Sequence, residues 1–135
     1  METESFTLPE LSKAFDVHYR TLHSWVERGL LDPGVHRSRG TGTPNRFSRK
    51  DAVMVCILSE LRDAGVKFDL LTQAAERLRK TDSALEGEAF MLVNGDVRIV
   101  FDSDDAASAL KRGGLTLAYN TGAALERCEV LTPEP

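Results

Sequence analysis

The sequence predicts an α+β protein in two parts: four helices interrupted by a short strand pair, then a smaller unit of strands and one helix. Three observations carry this expectation. Apolar residues recur at helical spacing in four stretches before residue 80. Residues 32–48 are too rich in Gly, Pro, Thr and Arg to continue a helix. Beyond residue 88 the apolar period shifts to two, around Asn94-Gly95. Residues 1–80 and 81–135 are accordingly read as two units.

Thr7 opens the first helix. Its hydroxyl suits the exposed amides, and Glu10 reaches back from the third helical position in a reciprocal capping box. Pro9 falls in the first turn, where its missing donor is not needed. Leu8, Leu11, Ala14 and Phe15 share one face, and Asp16 breaks the pattern with a turn-tolerant residue. A second helix resumes at about His18, with Leu22, Trp25 and Val26 as a buried stripe. Gly29 ends it, and Leu30-Leu31 follow as an apolar anchor. Two short helices separated by little more than Asp16-Val17 form a helix-turn-helix pattern. Arg46-Phe47 is the returning strand of the pair that follows, with Gly40 and Gly42 at its tip. Ser48 and Asp51 make a second capping box for a helix running to about Ala64, with Val53, Ile57 and Leu61 inward beside Ala52 and Cys56, and Gly65 as its stop. Asp69 is expected to cap a fourth helix, whose stripe is Leu70, Leu71, Ala74, Ala75 and Leu78.

Residues 80–88 are polar, contain Gly87 and mark the boundary. Residues 90–93 and 97–101 flank Asn94-Gly95 as a hairpin, because both turn residues tolerate positive φ. Ser103 or Asp104 is expected to cap a short helix to about Lys111, stopped by Gly113-Gly114. Residues 115–119 and 128–131 read as further strands. A unit this small is marginal as an independent fold.

The net charge of −4 argues at first against a nucleic-acid partner. It is an average over unlike halves. Residues 1–80 hold 13 Lys and Arg against 11 Asp and Glu, whereas residues 81–135 hold 4 against 10. Arg37, Arg39, Arg46, Arg49 and Lys50 form a basic run without an acid between residues 33 and 50.

The pieces Val17-His-Tyr-Arg-Thr-Leu22, Trp25, Glu27-Arg-Gly-Leu-Leu31, Arg46-Phe47 and Ala64-Gly-Val66 resemble, in order and spacing, the DNA-binding domain of the MerR-like regulators. The resemblance covers the N-terminal half of the chain. It implies a winged helix-turn-helix, with the second helix in the major groove and the strand pair as a wing on the backbone. It also implies a transcription regulator, usually dimeric on a palindromic operator. The residues agree with that reading. His18, Tyr19, Arg20 and His23 are left pointing outward by the apolar stripe, and a recognition helix presents such N-terminal side chains to base edges. Arg20 is the candidate for guanine, since its fork matches two acceptors on one base edge. Arg37, Arg39 and Arg46 suit phosphate contacts, which position without reading sequence. The chain departs from the family at His18, where Ser or Thr often caps the helix, and at Ser24, where many members carry a phosphate-contacting Tyr. The family's long dimerisation helix is missing after residue 80, as are the Cys ligands of its metal-sensing members.

Other chemistries find little support. No apolar stretch approaches the ~20 residues of a membrane span, and the acidic start lacks a signal-type run, so a reduced, cytoplasmic protein is expected. His18, His23 and His36 do not share a helix face, Cys56 and Cys128 lack metal-type spacing, and Asp102, Asp104 and Asp105 read as helix capping. Gly40 and Gly42 lack the Gly-Lys-Ser/Thr of a phosphate loop. No nucleophile and base arrangement is found, so no enzyme, cofactor or metal is expected. The expected partners are double-stranded DNA, a second copy held through residues 81–135, and RNA polymerase. Two alternatives stay open: an excisionase-like or architectural factor that bends DNA, and a protein-interaction module whose helix-turn-helix docks a partner protein.

Overall fold

The computed structural model of the chain describes residues 5–33, 45–81, 89–101, 103–111, 114–129 and 131. Among these residues it holds six helices and one small antiparallel sheet. The first two helices are α1 (Leu8–Phe15) and α2 (Tyr19–Glu27). The Thr7 capping box forms as expected, with Thr7 N–H and Oγ1 both donating to Glu10 Oε1 at 3.2 and 3.0 Å. Asp16 closes α1 in the left-handed region at φ 53°. Its amide donates to Ser12 O, whose own hydroxyl donates to Val17 O at 2.5 Å, and the next helix starts two residues after Val17. This is a tight helix-turn-helix. Of the expected face on α1, Leu8, Leu11 and Phe15 are buried, but Ala14 is exposed: it falls at the margin of the stripe, where no other element packs on it.

Gly29 follows α2 with φ +84°, and the Leu30 amide turns back to Trp25 O at 2.9 Å, sending Leu30 and Leu31 into the core. Residues 34–44 lie outside the described residues, and with them most of the expected wing. Its returning segment is described. Phe47 pairs with Phe6, each amide donating to the other's carbonyl at 2.9 Å, and both rings are fully buried.

Helix α3 (Arg49–Asp63) starts at the Ser48 and Asp51 capping box and is the central element. Only one inward face was anticipated, yet every residue from Ala52 to Ser59 is buried. Helix α4 (Phe68–Arg79) begins at Lys67, which offers no side-chain cap; Asp69 sits inside the first turn and is not the cap. There its carboxylate still complements the helix dipole. Leu71, Ala74, Ala75 and Leu78 are buried as expected. Arg79 binds the far end of α4 to the far end of α2, donating to Gly29 O at 2.5 Å and to Leu30 O.

Strands β1 (Phe90–Val93), β2 (Val97–Val100) and β3 (Leu117–Asn120) form a sheet of order β2-β1-β3, antiparallel throughout. Val93 pairs with Val97, so the hairpin connection is the three residues 94–96, and Gly95 at φ +74° is its left-handed residue. Helix α5 (Ser103–Leu110) includes Ser103 and Asp104 as its first residues, so neither is its cap. Residues 128 and 129, expected to open a strand, are helical. Helix α6 (Thr121–Glu129) follows β3 with no connecting residue, and Cys128 lies in its last turn. Asn120 ends the strand and caps the helix at once, its Oδ1 accepting from Gly122 N at 2.9 Å. Thr121, fully buried, holds β1 from the side: its hydroxyl accepts from Ala89 N at 3.1 Å and donates to Ala89 O at 2.9 Å. Helix α6 packs on α3, and β2 packs on α4, where Gln73 accepts from Val97 N at 3.3 Å. One hydrophobic core therefore runs from Phe6 through α3 to Cys128. No helix among the described residues is long and apolar enough to cross a membrane.

Candidate nucleic-acid interface

Helix α2 buries Leu22, Trp25 and Val26 against the core, and Trp25 is only 3% exposed, so it is a core residue. Its remaining surface divides into two rows at four-residue spacing. The first row is Tyr19, His23 and Glu27. The Tyr19 and His23 rings lie 6.0 Å apart, and His23 Nδ1 is 3.7 Å from Glu27 Oε1, so an acid accompanies His23. Tyr19 is 45% exposed and available at the start of the helix.

The second row is Arg20, Ser24 and Arg28. These three, with Thr21, Trp25, Arg62, Val66, Phe68 and Leu71, line a cleft of about 440 Å³ between α2 and the turn joining α3 to α4. The Arg28 guanidinium sits 4.1 Å from the centre of the Phe68 ring, a cation–π contact that fixes its direction. Arg62 carries its neighbour Asp63 at 3.6 Å, with both side chains largely in water. Three guanidinium groups thus converge beside the exposed side of α2, and no acid lines the cleft among the described residues.

His18 caps α2. Its Nδ1 accepts from Arg20 N at 3.2 Å, which assigns the ring proton to Nε2 and turns that N–H outward. Arg46 is half-buried beside Phe47, and Arg37 and Arg39 lie outside the described residues. The structure brings His18, Tyr19, Arg20 and His23 together on one short helix. Arg28 and Arg62 are additions that the sequence reading missed. Arg28 lies inside the quoted segment Glu27–Leu31 and Arg62 just before Ala64-Gly-Val66, but the signal for their role is tertiary, in that the turn after α3 folds back onto α2. Arg49, counted in the basic run, turns inward. It donates to Cys128 O and, at 3.1 Å, to Leu131 O, and it lies 5.3 Å from the Phe6 ring centre. No group of three or more His, Cys, Asp or Glu capable of holding a metal occurs among the described residues.

A tight helix-turn-helix with an outward second helix, followed by a long central helix, defines a class of helix-turn-helix proteins. Over residues 6–78 the chain matches the family described as MerR HTH family regulatory protein, and it belongs to that family. It is similar to an uncharacterized HTH-type transcriptional regulator of Mycobacterium bovis and to two from strains of Mycobacterium tuberculosis. Each is 26% identical over 72 residues, covering 53% of this chain and 32% of the relative. The chain thus spans about a third of the length of the curated relatives it matches.

Proposed function

We propose that the chain is a sequence-specific, DNA-binding transcription regulator, with α2 in the major groove and residues 32–48 gripping the adjacent backbone as a wing. The observation that carries this reading is the convergence of Arg20, Arg28 and Arg62 on an acid-free cleft beside the exposed side of α2. Guanidinium forks match both guanine edges and phosphates. Arg20, at the helix start beside the His18 cap and Tyr19, is the base reader in this account. Arg28 and Arg62 flank it as backbone contacts, a role shared by Arg37, Arg39 and Arg46 of the wing. Residues 1–80 form the reader in this account, and residues 81–135 hold a second copy, for which Phe101 and Leu115, 51% and 92% exposed, supply uncovered apolar surface. A pair of readers brings the affinity that a single small module lacks.

The test is selection of bound sites from random DNA, followed by anisotropy titration over a salt series. A palindromic selected site whose affinity falls steeply with salt supports the regulator and the dimer together. A pool with no enrichment after several rounds, and no affinity at low salt, overturns it in favour of a protein-interaction module.

One observation favours a second reading, an architectural factor that bends DNA. Helix α4 ends at Arg79 and a strand begins at Phe90, so among the described residues no long helix follows α4. A circular-permutation assay separates the two: an unbent complex at a promoter site eliminates the architectural reading.

A further inference from the structure

The interface between α3 and α6 contains chemistry that DNA recognition does not use. Cys56, in the middle of α3, and Cys128, in the last turn of α6, are both free thiols and both fully buried. Two polar anchors fix the register that brings them together. Arg127, the neighbour of Cys128, meets Glu60, one turn beyond Cys56, at 2.6 Å. On the other side, Arg49 donates to Cys128 O and Leu131 O. The two thiols face each other across this interface as side-chain neighbours. The Tyr119 hydroxyl is buried against Cys56 and Glu60 but meets neither at hydrogen-bonding geometry.

We propose that Cys56 and Cys128 are a redox-convertible dithiol, a modification site at which a hydroperoxide installs a disulfide joining α6 to α3. The two sulfurs have distinct roles. The neighbouring Cys128 thiol holds the Cys56 thiol below the ordinary thiol range, with Arg127 assisting, against the opposing effect of burial. Cys128 is raised, because of the neighbouring Cys56 and because it is buried. Cys56 is therefore the attacking thiolate and Cys128 the resolving thiol.

The chemistry balances with hydrogen peroxide as oxidant. The Cys56 thiolate attacks one peroxide oxygen, the O–O bond breaks, and the departing hydroxide takes up the proton released by Cys56 to leave as water. Cys56 is then a sulfenic acid. The Cys128 sulfur attacks the Cys56 sulfur, an S–S bond forms, and the sulfenic hydroxyl leaves with the Cys128 proton as a second water. Two thiols are oxidised and one peroxide is reduced. Closing the sulfurs to the ~2.05 Å of a disulfide requires α6 to approach α3. Entry of the oxidant needs local opening of α6, a nine-residue helix whose burial rests on Thr121, Ala124 and Cys128.

The experiment treats the full chain with a peroxide series, blocks remaining thiols with iodoacetamide in denaturant, and maps tryptic peptides. Cleavage after Lys50, Arg62 and Arg127 releases Cys56 in peptide 51–62 and Cys128 in peptide 128–135. The expected result is simultaneous loss of both thiols and appearance of these two peptides joined, two hydrogens lighter than their sum. The unaltered protein supplies this readout, so it does not depend on any variant folding. In C128S, dimedone traps Cys56 as sulfenic acid, whereas in C56S the Cys128 thiol oxidises at least tenfold more slowly. Thiols that survive peroxide sufficient to oxidise an exposed cysteine overturn the proposal. So do single sulfinic products without the joined peptide, or joining only between two chains. The outcome is independent of whether the chain binds DNA.

Discussion

Arg20 and Arg49 both belong to the basic N-terminal half, and their surroundings differ. Arg20 is exposed on α2, so replacing it by Ala leaves the fold intact and costs about 1–3 kcal/mol on the selected DNA site, while Arg39→Ala weakens all sites alike and lowers the salt slope. Anisotropy titration distinguishes the two; an Arg20→Ala protein that binds its selected site unchanged removes α2 from the role of reader. Arg49 instead serves two carbonyls at the end of α6. Arg49→Met retains much of the apolar stem but strands those acceptors, and urea unfolding should register a loss of about 1.5–3 kcal/mol, as expected for hydrogen bonds to a charged donor. DNA affinity per folded molecule should be retained. Asp16 makes a backbone prediction. Its left-handed φ of 53° is strained for a side chain and natural for glycine. Asp16→Gly should be neutral or stabilising by up to about 1 kcal/mol, whereas Asp16→Val should cost about 1–2 kcal/mol.

Helices and strands formed where their ends carried local chemistry. Thr7 with Glu10, Ser48 with Asp51, and the glycines at 29 and 65 act within a few residues, so the starts of α1 and α3 and the stops after α2 and α3 were readable directly. Cys128 was misread because Cys-Glu-Val-Leu is too short and apolar to declare a period, and what makes it helical lies elsewhere. Asn120 caps the start of that helix, and Arg49 closes its end from the other side of the sequence. The all-round burial of α3 was hidden for the same reason, since the second buried side is covered by α6. In the candidate site, Arg20 was legible from one helix, but its convergence with Arg28 and Arg62 exists only after α4 folds back. Thr121 offers a test of how tightly these elements are joined. Thr121→Val removes both the acceptor for Ala89 N and the donor to Ala89 O within a buried site, and should lower stability by about 1–3 kcal/mol in urea melts.

The whole molecule has one core crossing the boundary between its basic and acidic halves. It should therefore unfold as a unit. Trp25, the sole tryptophan, reports on the N-terminal half, while far-UV circular dichroism averages over both; their urea midpoints should coincide, and separated midpoints would mean that the halves unfold independently. On the proposed function, the acidic half should keep non-specific DNA affinity modest and strongly salt-dependent, which anisotropy titration on random DNA over a salt series checks. The direct passage from β3 into α6 has a mechanical meaning. Asn120 is shared between strand and helix, so the joint has no slack. Any pull on the edge of the sheet is delivered to the last turn of α6, and from there to Arg49 at the start of α3, by a lever rather than a tether.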